Sequence, residues 1–229
     1  MVFAMTVGAY GVLASPVFQI QDVVVQGVEG PTAERIAARL ARQRGANLLA
    51  VDAADVVAAT AGEPRVARAW LVRRLPSTLE VAVLPRDPVA QAAVQDRFWE
   101  VDRQGVVLGP AANPGEYPTL TGVVQPGEAL AVARPGPPRL VQAAALASEL
   151  GPVLGKRLAG LHVDESGERW VYLTDGSVIR WGLGAMGPDE AARDARRVEV
   201  LAALMAELGS ARPFEADLRD PARATWRPR

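Results

Sequence analysis

The stretch that decides the fold is residues 65–90, which read RVARAWLVRRLPSTLEVAVLPRDPVA. Two apolar runs rich in β-branched side chains, residues 66–75 and 79–84, are separated only by the tripeptide Pro-Ser-Thr. Proline fixes φ near the value that a turn needs, and Ser and Thr can bond their own backbone, so the stretch predicts a β-hairpin. In the second run, every other residue from Leu79 to Val83 is large and apolar, which indicates a strand with one buried face.

The segment before this hairpin predicts one strand and two helices. Residues 18–28 are typical of a strand, and Pro31 opens an amphipathic helix that Gly45 ends. Asp52 is a good N-cap for a second helix, because its carboxylate can accept the free N–H groups of the first turn. That helix is expected to end near Gly62. The predicted order is therefore strand, helix, helix, strand, strand.

The second half of the chain predicts a larger β-rich region with two amphipathic helices. The helices begin near Pro138 and at Pro188, and the first is expected to end at Gly151-Pro152. Strands are predicted at residues 97–101, 106–108, 158–163, 170–174, 177–181 and 214–219. The residues from 220 to 229 are predicted to be a polar, proline-containing tail.

The N-terminus predicts a membrane anchor at residues 1–16. Residues 1–15 are almost wholly apolar, and no charged residue occurs before Asp22. The run is slightly short of the roughly 20 residues that span a bilayer. A signal peptide would need a positive region before it, and a buried core helix would be weakened by Gly8 and Gly11. We therefore favour the outer part of a signal anchor over these alternatives.

Composition excludes several classes of function. The 229 residues are 49% hydrophobic and 22% charged, with a net charge of −1, and this near-neutral balance gives no electrostatic case for nucleic-acid binding, which usually needs a basic face. The absence of cysteine excludes disulfides, thiolate nucleophiles and Cys-ligated metals. A chain of this length can hold one large domain or two modest ones.

The sequence predicts no catalytic, metal or cofactor site. His162 is the only histidine, which excludes a His-His metal pair, and we expect it to point away from Leu161 and Val163. A GxGxxG pattern occurs at residues 182–187, but it follows a hairpin and not a βαβ unit, so a loop is the favoured interpretation. Five aromatic residues lie on predicted strands, where packing is favoured over a saccharide platform: Trp70, Trp99, Trp170, Tyr172 and Trp181.

The hairpin resembles part of the POTRA domain of the FtsQ/DivIB family, which are bitopic bacterial cell-division proteins. The residues that carry this resemblance are Val66, Ala69, Val72, Leu75, Pro76, Thr78, Leu79, Val81, Val83, Arg86, Pro88, Val89 and Ala90. Residues 117–122 and 216–219 resemble later segments of the same family, so the likeness runs from about Phe18 to Trp226. It departs from the family pattern at residues 183–187.

This resemblance implies an α+β fold in three parts. They are the anchor helix at residues 1–16, a small β-α-α-β-β POTRA domain at 17–88, and a larger mixed β-sheet domain with two helices at 89–229. It also implies a non-enzymatic divisome component, a single-pass protein of the inner (cytoplasmic) membrane at the division septum. Its C-terminal domain would be extracytoplasmic. Such a protein binds FtsB-like and FtsL-like bitopic membrane proteins and helps recruit and regulate septal peptidoglycan synthesis, with no cofactor.

The last predicted strand, residues 214–219, is the candidate partner site. A strand that comes last in sequence often lies at a sheet edge, where unpaired N–H and C=O groups can receive a partner strand. The predicted partner-binding residues are Phe214, Glu215, Ala216, Asp217, Leu218, Arg219, Asp220, Arg223, Thr225 and Trp226. The simpler interpretation is that this strand only completes the sheet and that the tail is solvated.

Two other functions compete with this interpretation. A POTRA-bearing protein-export or outer-membrane assembly chaperone would also use edge strands. Those proteins usually repeat the unit and continue into a barrel, and neither a second copy nor about 8 further amphipathic strands is present. An enzyme that acts on cell-wall glycans is disfavoured, because the chain offers few catalytic side chains.

Overall fold

The computed structural model describes residues 15–184, 187–208 and 213–229. The chain divides into two compact units, one ending at Arg86 and the other beginning at Asp87. The domain bounds predicted from the sequence, 17–88 and 89–229, stay a prediction at the level of single residues. The predicted anchor lies almost wholly outside the described residues. Within the described part, no helix is both long enough and apolar enough to cross a membrane.

The first unit has the predicted β-α-α-β-β order. Its elements are β1 (Asp22–Gln26), α1 (Gly30–Leu40), α2 (Ala53–Thr60), β2 (Val66–Arg74) and β3 (Thr78–Pro85). The three strands form one sheet in the order β1-β3-β2, with β1 parallel and β2 antiparallel to β3. The central strand, β3, is therefore the second strand of the hairpin predicted within residues 65–90.

Local sequence signals set the bounds of these elements. The Asp52 carboxylate accepts the Ala54 N–H at 2.9 Å, which confirms the predicted N-cap of α2. Strand β1 is shorter than the predicted 18–28, because a 3-10 turn at Pro16–Phe18 precedes it. Helix α1 ends at Leu40 and continues as the 3-10 turn Ala41–Gln43 before Gly45.

The core of the first unit lies between its sheet and its two helices. Leu79, Val81 and Val83 of β3 are buried, as their alternation predicted. They share one hydrophobic cluster with side chains of α1 and α2, including Ile36, Leu40 and Val56. The predicted strand register is thus confirmed.

The second unit is a nine-stranded mixed sheet with two long helices. Its strands are β4 (Pro88–Val94), β5 (Arg97–Asp102), β6 (Val107–Pro110), β7 (Thr119–Thr121), β8 (Leu158–Val163), β9 (Glu168–Leu173), β10 (Val178–Leu183), β11 (Phe214–Asp217) and β12 (Thr225–Pro228). They are ordered β12-β11-β10-β9-β8-β7-β4-β5-β6. The α+β class with a small POTRA unit and a larger sheet unit is therefore confirmed.

The helices are α3 (Pro138–Leu154) and α4 (Pro188–Leu208), and both contribute to the core of the second unit. Helix α3 was expected to end at Gly151-Pro152, which is wrong: Pro152 lies in its last turn, and Gly155, with φ +52°, ends it. Pro152 has no N–H and so removes one intrahelical hydrogen bond, and only two further residues of the helix follow it.

The strands of the second unit have an inner face toward the core and an outer face. Inner-face residues such as Leu161, Val171, Ile179 and Ala216 are buried in the cluster that includes the helices. Successive side chains of a strand point to opposite faces, so the residues between them form the outer face. His162 lies on that outer face, as predicted from its position between Leu161 and Val163.

Candidate partner-binding site

The open edge of the second sheet is β12. It pairs antiparallel with β11, and no strand in the described part of the chain pairs with its other side. The expectation that residues 214–219 form the edge is wrong, because β11 lies between β10 and β12. The predicted tail instead turns through a 3-10 helix at Pro221–Arg223 and returns as a strand. A short strand that contains proline gave no clear signal in the sequence.

The backbone of β12 presents hydrogen-bonding groups to this open edge. The Arg229 N–H donates to the Pro213 carbonyl oxygen at 2.9 Å. In an antiparallel pair, alternate residues bond to the neighbouring strand, so Arg227 and Thr225 also face β11. The N–H and C=O groups of Trp226 consequently point away from β11. Pro228 has no N–H and can offer only its carbonyl oxygen.

The ten predicted site residues do not form one surface. Phe214, Ala216 and Leu218 are buried in the core, so their side chains are not available to a partner. Glu215 and Asp217 belong to the outer face of β11. The assignment of the ten residues to partner binding stays a prediction. Within this set, solvent reaches the side chains of Glu215, of Asp217 and of the members from Arg219 onward.

The two acidic residues of β11 are paired with arginines. Arg227 Nε donates to Glu215 Oε2 at 2.9 Å, and Arg219 Nη2 donates to Asp217 Oδ2 at 2.6 Å. The hydrogen bond and the charge of Arg227 lower the pKa of Glu215 below its ordinary value. The hydrogen bond from Arg219 lowers the pKa of Asp217, against the opposing effect of partial burial. Both carboxylates are therefore charged at neutral pH. The Glu215–Arg227 pair joins β11 to β12, whereas the Asp217–Arg219 pair lies within the end of β11 and the turn after it.

The turn and β12 carry the exposed members of the predicted set. Asp220 Oδ1 accepts the Ala222 N–H at 3.0 Å and so caps the 3-10 turn. The side chain of Arg223 is exposed and makes no hydrogen bond or ion pair within the described residues. Trp226 lies opposite Ala216 in the ladder, and 45% of its surface is exposed. These are the features expected of residues that a partner covers.

A groove of about 870 Å³ lies on the outer face beside β12, and the sequence analysis did not identify it. Its lining includes Trp170 and Tyr172 of β9, Arg180 of β10 and Arg227 of β12. The Arg180 Cζ atom lies 4.8 Å from the centroid of the Trp170 ring, a cation–π contact. The period-2 alternation of β9 and β10 could have placed these side chains on one face. It could not have shown that β12 completes the groove.

His162 also lines the groove, and its Nδ1 atom lies 2.9 Å from the Thr121 hydroxyl oxygen. This contact accounts for the position of the imidazole ring, and it does not bring a second metal-binding side chain to the ring. Among the residues that the structure describes, no group of three or more His, Cys, Asp or Glu side chains could hold a metal ion. The arrangement offers backbone pairing and side-chain contacts to another chain.

Two family models match the chain and together span both units. The model "POTRA domain, FtsQ-type" matches residues 18–86. The model "Cell division protein FtsQ/DivIB, C-terminal" matches residues 90–219, which is more than half of the chain. The second match stops before β12, whereas the first unit is matched almost from end to end.

Individual relatives give the same result. The chain is 31% identical over 228 residues to "Cell division protein FtsQ" of Caulobacter vibrioides, covering 99% of this chain and 70% of that protein. It is 29% identical over 195 residues to "Cell division protein FtsQ" of Mycobacteroides abscessus, covering 85% of this chain and 58% of that protein. The chain is 34% identical over 156 residues to "Cell division protein FtsQ" of Chloroflexus aurantiacus, covering 68% of this chain and 56% of that protein.

The chain thus spans somewhat more than half the length of the relatives from Mycobacteroides and Chloroflexus. A solved structure of the major extracytoplasmic domain of the cell division protein DivIB from Geobacillus stearothermophilus is similar to 54% of this chain and 93% of its own, with 16% identity and a TM-score of 0.35. The match of more than half of the chain to the C-terminal family model, together with the Caulobacter relative, establishes the family. The chain belongs to the FtsQ/DivIB family of cell division proteins.

Proposed function

We propose that this protein is a non-enzymatic divisome component that receives a strand of an FtsB-like membrane protein on the open edge of β12. The observation that carries the proposal is the outward-facing N–H and C=O pair of Trp226 on a fully exposed edge strand. An added strand forms main-chain hydrogen bonds there, which supply affinity without requiring a particular sequence. The names of the relatives, all cell division proteins, support the cellular role.

Side chains around this edge supply specificity. Arg and Trp dominate the energetics of protein interfaces, and Arg223 and Trp226 are both exposed next to the open edge. Arg219 is exposed at the start of the same turn, although Asp217 already engages its guanidinium. The groove beside β12 offers the positive charge of Arg180 and the negative charge of Glu215 to the outer-face side chains of an added strand.

The remainder of the proposal follows from the family. We place the protein in the inner membrane as a single-pass protein at the division septum, with both described units outside the cytoplasm. There it would bind FtsB-like and FtsL-like proteins and help recruit and regulate the septal peptidoglycan synthase. A protein-export or assembly chaperone could use the same kind of edge, but the family match favours the divisome.

Replacing Trp226 tests the main-chain part of this proposal. Trp226→Pro removes the one N–H that faces away from β11 and leaves the bonded groups of Thr225 and Arg227 in place. We expect the affinity for the extracytoplasmic part of the FtsB-like protein of the same genome to fall by about tenfold or more, since a lost hydrogen bond leaves a partner carbonyl unpaired. Titration calorimetry measures this change. Trp226→Ala keeps the N–H and so isolates the contribution of the ring.

The double variant Trp226→Ala with Arg223→Glu tests the side-chain part. It is expected to leave the melting temperature nearly unchanged, because both side chains are exposed, and to lose the partner in a pull-down. Arg103→Glu is the matched charge control, because Arg103 is exposed in the turn before β6, at the opposite end of the sheet. Retained binding by a well-folded double variant would remove this edge from consideration.

A further inference from the structure

Four charged side chains join α4 to the sheet of the second unit: three of them are buried, and Asp194 is partly exposed. Glu190 and Asp194 come from α4, Arg197 follows on the same helix, and Arg169 comes from β9. Arg169 donates to Asp194 Oδ2 at 2.7 Å and to Glu190 Oε1 at 3.1 Å. Arg197 Nη1 donates to the same two residues, at 2.7 Å and 2.6 Å. Two positive and two negative charges therefore balance in the interior, and Trp181 Nε1 adds a bond of 2.7 Å to Asp194.

Arg197 also holds the end of β11. Its Nε donates to the Leu218 carbonyl oxygen at 3.1 Å, and its Nη2 donates to the Arg219 carbonyl oxygen at 2.9 Å. Burial alone would lower the pKa of Arg197, but the hydrogen bonds to Glu190 and Asp194 outweigh it and raise the pKa above the ordinary value. The charged guanidinium of Arg197 thus holds the carbonyl groups of Leu218 and Arg219, which directly follow β11.

Two glycines of the GxGxxG pattern lie close to this network. Gly182 has φ +109°, and a Cβ atom there would lie 3.1 Å from Arg197 Nη2. A Cβ atom on Gly184 would lie 2.6 Å from the Gln142 side-chain oxygen and 3.4 Å from Arg169 Cδ. Gly182 is therefore explained by its positive φ and by the nearby Arg197 guanidinium, and Gly184 by its close approach to Gln142. Residues 185–186 of the pattern lie outside the described residues.

Strand β12 depends on the segment that Arg197 holds. All four residues of β12 are exposed, so no core side chain anchors the strand. It is attached by its ladder with β11, by the Arg227–Glu215 ion pair and by the bond of 3.0 Å from Arg229 Nη1 to the Gly176 carbonyl oxygen. Leu218 and Arg219 lead directly into the turn before β12, and α4 also contacts that turn. The direction in which the chain leaves β11 therefore sets where the open edge lies.

We propose that Arg197 is a positioning residue for the partner site: it ties α4 to the Leu218–Arg219 carbonyls and so holds β12 in the geometry that receives a strand. The inference rests on the proposed function for the identity of the site. Arginine is required because a guanidinium carries five donors in a fixed planar arrangement. A lysine can satisfy the acidic side chains with its single ammonium group, but it cannot reach the two carbonyls at the same time.

The test compares Arg197→Lys with Arg169→Lys. Both variants keep a charge in the same buried network, and both lose carbonyl contacts. Arg169 bonds to the Gly182 and Leu183 carbonyls at the end of β10, whereas Arg197 bonds to the carbonyls that lead to β12. The pair therefore separates loss of stability from loss of positioning. Each variant is measured well below its own melting temperature, so that both are folded.

The first readout is amide hydrogen exchange by NMR, which needs no partner. In Arg197→Lys, the amides of Thr225 and Arg227 in β12, and of Arg229 directly after it, are expected to exchange about tenfold faster. The reason is that the free energy of local opening falls by roughly the contribution of the lost hydrogen bonds. In Arg169→Lys, the exchange rates of the same amides should change no more than those of the β8 amides. Equal exchange of β12 in the two variants would overturn the inference.

The second readout is binding of the extracytoplasmic part of the FtsB-like protein. Arg197→Lys is expected to weaken it by about tenfold, and Arg169→Lys is expected to bind like the parent. Faster exchange of β12 with unchanged binding would overturn Arg197 as a positioning residue for the partner. If the parent protein itself does not bind, the proposed function fails, and the exchange comparison still decides whether Arg197 holds β12.

Discussion

Val81→Asp is expected to unfold the first unit. Val81 is fully buried in β3, the central strand of the sheet, and belongs to the same cluster as Ile36, Leu40 and Val56. A carboxylate at this position would lose its hydration and find no cationic partner in the cluster. The free energy cost is of the order of several kcal/mol, comparable with the whole stability of a small domain. The measurement is the loss of dispersed NMR signals from residues 15–86.

Leu84→Asp is the matched control on the same strand. Leu84 is 51% exposed and lies opposite Arg68 in the ladder with β2, so a new carboxylate there stays hydrated beside a positive charge. We expect its effect on the free energy of unfolding to stay below about 1 kcal/mol. If Val81→Asp melted no lower than Leu84→Asp, the register of β3 described above would be incorrect.

Asp194→Ala is expected to destabilise the second unit strongly. Its carboxylate accepts hydrogen bonds from Arg169, Arg197 and the indole N–H of Trp181. Without it, Glu190 is the one acidic side chain left that is hydrogen-bonded to both buried arginines, with Glu149 also close enough to interact with Arg169, and the indole N–H has lost this acceptor. Removing one partner from a buried ion pair costs about 3–5 kcal/mol, which corresponds to a fall of about ten degrees in the melting temperature. Differential scanning calorimetry measures that fall.

Asp189→Ala provides the comparison, because it removes the same side chain from the same helix. Asp189 is exposed in the first turn of α4, where a carboxylate stabilises the helix dipole by at most about 1 kcal/mol. A similar loss of stability in both variants would mean that the buried network contributes little. The expected result is a difference of several degrees between them.

The parts of the fold that the sequence predicted well are those set by neighbouring residues. The hairpin around Pro76, the alternation of Leu79, Val81 and Val83, and the N-cap at Asp52 all depend on interactions within a few positions. Their physical causes are turn geometry, the pleat of a strand and the free N–H groups of a helix start. The same signals gave the order of elements in the first unit, but in the second unit they missed β4, β7 and β12.

The parts that the sequence did not predict depend on distant pairing. Nothing local in residues 214–219 shows that β12 will cover them, since a four-residue strand ending in proline has no clear periodicity. Strand β9 is a second case. Its alternation places Arg169 toward the core and Trp170 toward the groove, the reverse of what polarity suggests. The reason is the acidic face of α4, which is distant in sequence.

Pro228 also has a consequence for how far the open edge can extend a sheet. A long, regular edge is a template on which further copies of a chain can stack, and that is how many β-proteins aggregate. Here the exposed row is broken at Pro228, which cannot donate, and Arg227 and Arg229 place two positive charges along it. An edge interrupted in this way is a poor template for a growing ladder. A protein with such an edge can remain receptive to a partner while it resists polymerising with itself.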